Sequence, residues 1–256
     1  PPTSSTGQYR RSEAMYEIKY PTGSTVMLEY DDEKHTYMVD GNKVPSVTRV
    51  IDSVTPKHLT DWAATAGADY WKENYGKDSG MYEGIRNAYK EIGDTAKDIG
   101  SEVHKWIELW IKFKITGGDT ETDYPDHVKI PMQNFHKWVE SRAIEWVSCE
   151  EKIYSKAWKF AGTVDAVARI NGKLCVIDFK TSAKVYKEYY LQLAAYSEAI
   201  SSMMGEDVDL AVIVRLDKEE DKFQEVAFKP ENYFYAFVNA LELKAFQSER
   251  IKKEKL

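Results

Sequence analysis

Apolar and polar residues alternate with period two between Met15 and Val44, most clearly in Val26-Met-Leu-Glu-Tyr and His35-Thr-Tyr-Met-Val, with turn clusters at Asp31 to Lys34 and at Asp40-Gly41. That pattern predicts a small antiparallel meander. The period then lengthens. Ser46 caps a short helix through Val54, and Thr55-Pro56 is an N-cap followed by proline at the first helical position, opening a helix to about Tyr75. Helical spacing resumes from Tyr82 to Ile115, with interruptions expected near Gly93 and Gly100, and again from Asp126 to Ala143. Strand-like runs follow at Trp146 to Ser155, Phe160 to Ile170 and Lys173 to Lys180, then a helix from Lys187 to Met203, strands at Asp209 to Leu216 and Phe223 to Phe228, and a closing helix from Pro230. The order describes an α/β protein whose mixed central β-sheet is flanked by helices, with an N-terminal β-hairpin and helical extension. Residues 1–14 are polar and expected to be disordered, 15–97 form the extension, and 98–256 form the core.

One stretch allows side-chain positions to be calculated. Asn171-Gly172 lies between two alternating runs, the strongest short-range signal for a two-residue type I′ hairpin. Ile170 then pairs with Lys173, and continuing the register sets Asp165 opposite Asp178. Directly opposed residues have Cβ atoms roughly 4.5–5.5 Å apart. The same parity places Lys180 on the face of Asp178. Two carboxylates that close repel unless a cation lies between them, and a hard divalent cation suits oxygen donors of this kind.

Two further helical spacings adjoin this trio. Gly100, His104 and Glu108 are four apart, beside an apolar stripe of Val103, Ile107, Trp110 and Ile111. His104 is a metal ligand or a satisfied interior histidine. Glu108 is a ligand through water, a support for the histidine, or an exposed helix charge. Gln192 and Tyr196 are also four apart, either as boundary residues or as a pair that positions a water or a phosphate.

Charge changes the picture only locally. The chain carries a formal charge of −7, which counts against a polyanionic partner. Screening nevertheless limits exposed charges to about 8–10 Å, and Lys152, Lys156, Lys159, Lys184 and Lys187 surround the candidate site in sequence, while acidic runs at Asp31 to Glu33, Asp119 to Asp126 and Asp217 to Asp221 lie elsewhere. These lysines are a nucleic-acid-binding set or a solvated face. With 43% hydrophobic and 13% aromatic residues the chain is globular, and no run approaches the ~20 apolar residues of a membrane span. The opening Pro-Pro-Thr-Ser-Ser-Thr-Gly lacks the basic and apolar regions of a signal peptide, so the expectation is a soluble, intracellular protein, from a bacterial or phage-infected cytoplasm or an organelle matrix. Cys149 and Cys175 are too few for a disulfide framework and are expected as buried fillers.

Asp165, followed by Asp178-Phe-Lys180, resembles the signature of the PD-(D/E)XK nuclease superfamily. Gly100, His104 and Glu108 before it, and Gln192 and Tyr196 after it, resemble the helices of the RecB-like branch. Val44-Pro-Ser-Val-Thr-Arg-Val-Ile, with Pro56 and Trp62, is similar to the segment preceding the core in mitochondrial genome maintenance exonucleases and related phage exonucleases. The resemblance implies a restriction-endonuclease-like core. It also implies His104, Asp165, Asp178 and the Phe179 carbonyl as ligands of one or two Mg2+ or Mn2+ ions, Lys180 as the catalytic lysine, Gln192 and Tyr196 as further catalytic-site residues, and Gly100 and Glu108 as supports. Two cysteines exclude the four-thiolate iron–sulfur cluster of some relatives. The expected function is a metal-dependent deoxyribonuclease, an exonuclease acting on free ends of single-stranded DNA, with no membrane partner. The alternatives are a structure-specific endonuclease and a non-catalytic nucleic-acid-binding module. Trp62, Tyr70, Trp71 and Tyr75 are base-stacking candidates or core aromatics.

Overall fold

A computed structural model of the chain describes residues 13–55, 59–77, 80–118 and 123–248. The alternation near the N-terminus builds β1 (Glu13–Lys19), β2 (Thr25–Asp31), β3 (Thr36–Val39) and β4 (Asn42–Val44), an antiparallel sheet in sequence order. Helices α1 (Val47–Asp52), α2 (Leu59–Asn74), α3 (Met81–Thr116) and α4 (Asp126–Glu140) follow. The second sheet comprises β5 (Ile144–Ser155), β6 (Phe160–Ile170), β7 (Lys173–Lys180), β8 (Leu210–Leu216) and β9 (Phe223–Phe228), also in sequence order. Its pairings are antiparallel except for β7 with β8, because α5 (Lys187–Met204) carries the chain back across one face between them. Helix α6 (Glu231–Ser248) closes the described chain.

The central sheet separates two apolar layers, and β7 shows why. Leu174 and Val176 pack with α1, α5 and α6. Cys175, Ile177 and Phe179 pack on the other side against Val103, Ile107 and Ile111 of α3 and Met132, Phe135 and Trp138 of α4. A strand buried on both faces reads as a continuous apolar run, and only its C-terminal end turns polar, at Asp178 and Lys180. The N-terminal sheet docks on β5 and β6: the Tyr20 hydroxyl donates to the Tyr154 carbonyl at 2.6 Å, Tyr37 and Thr163 hydroxyls meet at 2.7 Å, and Ser46 bridges Ala161 in parallel.

Three expectations change. Helix α3 is continuous through Gly93 and Gly100, running roughly 54 Å at 1.5 Å per residue, so the boundary drawn at 97/98 falls inside one rigid element. A helical glycine costs about 1 kcal/mol, which the buried Val103, Ile107, Trp110 and Ile111 outweigh. The first strand, expected from Met15, starts at Glu13, which pairs with Asp31; residues 1–12 of the expected tail lie outside the described residues. The helix expected from Thr55-Pro56 is α2 from Leu59, and Pro56 itself is not among the described residues.

Gly162 of β6 shows how closely the layers approach: a Cβ there would stand 2.7 Å from Cε1 of the buried Tyr196 on α5. Gly162→Ala must therefore push Tyr196 off the sheet. The expected cost is about 1–3 kcal/mol, a fall in Tm of several degrees by calorimetry; an unchanged Tm would show that α5 is not held this tightly.

Candidate active site

The Asn171-Gly172 turn has the left-handed pair it needs, φ 52° and 80°, and Ile170 pairs with Lys173 as expected. The register continues to Ala166 opposite Ile177 and then the ladder stops. The next pair would be Asp165 with Asp178. Instead the Phe179 N–H donates to Asp165 Oδ2 at 2.9 Å, a side chain replacing the backbone partner. A residue's N–H and C=O share one side of an extended strand, so the Phe179 carbonyl is on the Asp165 side too.

Four side chains converge at this frayed end. His104 of α3 places Nδ1 3.3 Å from Asp165 Oδ2. Lys180 Nζ is 2.6 Å from Asp178 Oδ2 and 4.8 Å above the Tyr189 ring. Asp178 is only 1% exposed, with the Lys180 ammonium as the partner of its Oδ2. Gly100 brings α3 against the end of β7: a Cβ there would be 3.1 Å from Thr181 Oγ1. On α5 the Gln192 amide donates to the Tyr196 hydroxyl at 3.1 Å, and the Tyr196 ring is buried against Gly162 of β6. Glu108 is an ion pair with Lys112 at the cavity rim.

The electrostatics follow from burial. Burial pushes the Asp178 carboxyl up to about 6, with Asp165 adding to the shift and Lys180 opposing it. Burial also works against ionised Asp165, but His104, Lys180 and the Phe179 N–H hold its carboxyl below the usual value. Desolvation disfavours a charged His104, yet Asp165 raises it overall, and Asp178 with Asp165 does the same for Lys180. Glu150 of β5 was not singled out from sequence; burial and then Asp165 push it up to about 7.

A cavity of about 960 Å³ opens over the cluster, lined by His104, Lys180, Glu108, Glu150, Tyr189 and the lysines 97, 105 and 218. A smaller one of about 300 Å³ adjoins it, sharing Asp32 and Glu150 and reaching Tyr30, Tyr37, Lys152 and Tyr196. The basic set thus differs from the one expected. Lys152 lies over the Tyr30 ring at 5.0 Å, Lys156 over Tyr20 while donating to Ser24 Oγ at 2.7 Å, and Lys184 over Tyr186 at 5.3 Å; Lys159 is a left-handed turn residue and Lys187 starts α5. None of the five lines the larger cavity. Lys97, Ser101, His104, Lys105 and Glu108 follow the three- and four-residue helical spacing, a signal that was available in the sequence. Lys218 was hidden in a segment read as merely acidic, and Asp32, expected away from the site, lines both cavities. Of the aromatic candidates, Trp71 and Tyr75 are exposed with rings 4.9 Å apart, and Trp62 falls outside the described side chains.

Among the described residues, no three His, Cys, Asp or Glu side chains are grouped closely enough to hold a metal ion alone. The donor chemistry nevertheless fits a hard cation, which is usually held by one or two carboxylates with water and phosphate completing the shell. Two carboxylates on neighbouring strands, Asp178 buried and Asp165 3.3 Å from His104 Nδ1, are the donor set that favours it.

The fold is a mixed sheet between helices, with two carboxylates and a lysine at the frayed end of adjacent strands. The chain belongs to the PD-(D/E)XK nuclease superfamily, whose model matches residues 127–255. His104 and α3 precede that match. Mitochondrial genome maintenance exonuclease 1 of Mus musculus is 29% identical over 170 residues, covering 62% of this chain and 45% of the relative, so the chain spans less than half of that protein's length. Among solved structures, an alkaline exonuclease from Laribacter hongkongensis aligns over 73% of this chain and 95% of its own at 12% identity and a TM-score of 0.29. The protein SSO0001 aligns over 79% and 85%, at 15% identity and a TM-score of 0.32.

The pKa shifts give a pH dependence. Asp178 and Glu150 have folded values, about 6 and about 7, above their unfolded ones, and His104 is raised too. Stability from such groups is complete below the unfolded pKa and is lost as pH rises through the folded one. Asp165, shifted the other way, acts only in the acid range. In EDTA the unfolding free energy should therefore fall between pH 5 and pH 8 by roughly 1–3 kcal/mol, and less steeply in Glu150→Gln. Denaturant titrations across that range check it; a flat profile would contradict the assigned shifts.

Proposed function

We propose that the protein is a metal-dependent deoxyribonuclease that removes nucleotides from free ends of single-stranded DNA. The observation that carries this reading is the convergence of Asp165, Asp178, Lys180 and His104 beneath a lysine-rimmed cavity. The name of the mouse relative supports the exonuclease part. Asp165, Asp178 and His104, with the Phe179 carbonyl, would hold one or two Mg2+ or Mn2+ ions. Bound there, the cation neutralises phosphate charge and acidifies water.

The chain's own residues do the rest. Phosphodiester hydrolysis forms a bond from water oxygen to phosphorus and breaks a P–O bond to the sugar, concentrating negative charge on the phosphoryl oxygens. Lys180, fixed by Asp178 and the Tyr189 ring, presents a charged donor to those oxygens, the arrangement that lowers a barrier without reorganisation. Gln192 and Tyr196 form a hydrogen-bonded pair on α5, with Tyr196 packed on Gly162, three residues before Asp165. Lys97, Lys105 and Lys218 on the rim are suited to the backbone phosphates of an entering strand. Among the described residues no helix is long and apolar enough to cross a membrane.

End-labelled linear and circular single-stranded DNA, each with Mg2+ or Mn2+, test this. Linear DNA should be degraded and circles left intact; cut circles would sink the exonuclease assignment and favour an endonuclease. Asp178→Ala and Lys180→Ala should each lower kcat on the order of 10²–10³-fold. Full metal-dependent cleavage by Asp178→Ala would refute the site.

A further inference from the structure

Strand β5 contains a departure from regular geometry that the metal set above does not use. Non-glycine residues with positive φ occur at His35, Asp40, Glu150, Lys159 and Asn171, and among them Glu150, at φ 50°, is the one inside a strand. A long side chain gains nothing from that conformation locally, so the surrounding structure must impose it. The pairing of β5 with β6 shows where. Cys149 pairs with Ala166 and Glu151 with Val164, while the residues between them, Glu150 and Asp165, are missing from the ladder. Asp165 is thus skipped by both neighbouring strands, and Glu150 is the residue facing it from β5.

The turned backbone changes where the carboxylate goes. Glu150 lines the larger cavity beside His104 and Lys180 and the smaller one beside Lys152 and Tyr196, so it stands at their junction. Its nearest cation is a poor partner. Lys152 Nζ lies 3.9 Å from Glu150 Oε2, while that same ammonium lies 5.0 Å above the Tyr30 ring and 5.7 Å above Tyr16. Glu150 and Asp165 therefore occupy opposed positions of β5 and β6, Glu150 with a distant lysine and Asp165 with His104. A simple ion pair needs neither the left-handed residue nor the break in the ladder.

We propose that Glu150 is a further carboxylate ligand of the divalent cation, binding it from β5 across from Asp165. The proposal rests on the metal-dependent reading of the site and adds to it a donor outside the Asp-x-Lys strand and the histidine helix. Two carboxylates facing each other, with water and substrate phosphate completing the shell, are a usual way to hold Mg2+ or Mn2+. The left-handed residue then has a use: it sits where the β5–β6 ladder skips Asp165, at the junction of the two cavities.

Mn2+ binding to the whole protein, followed by calorimetric titration without DNA, tests this apart from activity. Glu150→Gln keeps the shape and removes the charge. Glu150→Gly tolerates φ 50° and removes the side chain, so it remains informative if the glutamine variant folds poorly. Both should bind Mn2+ at least 10-fold more weakly than wild type and show a smaller Mn2+-induced rise in Tm. Lys152→Met should bind as tightly as wild type or more tightly. Glu150 variants within twofold of wild type, while Asp178→Asn loses binding, would overturn the proposal and leave the metal-dependent reading standing. A Lys152→Met protein as impaired as Glu150→Gln would also overturn it, by making the ion pair the structural need. Wild-type protein that binds no Mn2+ would remove both readings.

Discussion

The two-residue turn at Asn171-Gly172 constrains everything at the site. Its left-handed backbone sets Ile170 against Lys173, and the side-chain period of two then delivers Asp165 and Asp178 to the same end of neighbouring strands. A slip of one residue would send Asp178 and Lys180 into the layer that holds Phe135 and Trp138, where neither charge finds a partner. The apolar alternation of β7 resists such a slip, so the core and the site enforce the same register.

Where that register ends, the sheet gives up backbone pairing to gain side-chain chemistry. Asp165 takes the Phe179 N–H with its carboxylate, Asp178 is buried with Lys180 as its partner, and Glu150 stands in a left-handed conformation across the gap. Burying the two carboxylates and turning Glu150 are each unfavourable for folding alone. Together they concentrate negative charge at one point, answered within the described protein by Lys180 and His104. Stability comes from elsewhere, from the two apolar layers that clamp β6 and β7 on both faces. Rigid strands between well-packed layers can hold repelling groups that a loop would let drift apart.

The N-terminal sheet is part of this arrangement. Its Tyr37 is hydrogen-bonded to Thr163, two residues from Asp165, and Tyr30, His35 and Asp32 wall the smaller cavity. Helix α3 joins the extension to the core without a break, so His104 and the rim lysines 97 and 105 ride on one element. A division into extension and nuclease core describes the order of the chain but not its mechanics.

Much was legible from local rules. The hairpin register, the strand limits of β6, β7 and β9, and the face shared by Asp178 and Lys180 follow from turn chemistry and a period of two, which depend only on residues near in sequence. The spacing of four likewise put Gln192 beside Tyr196. Other features depend on which elements meet, and periodicity carries no such information. The continuity of α3 through two glycines required the packing of Val103, Ile107 and Ile111 to outweigh their cost. The cavity lysines are decided by where α3 and the loop after β8 come to lie, and the expected set instead found tyrosines of nearby strands and turns. Glu150 is the clearest case: nothing in Cys149-Glu150-Glu151 distinguishes one glutamate from the next, and only the pairing of β5 against the interrupted β6 singles it out. The sequence by itself determined which carboxylates share a hairpin; the tertiary structure decided what surrounds them, because burial and charge pairing arise between segments far apart in the chain.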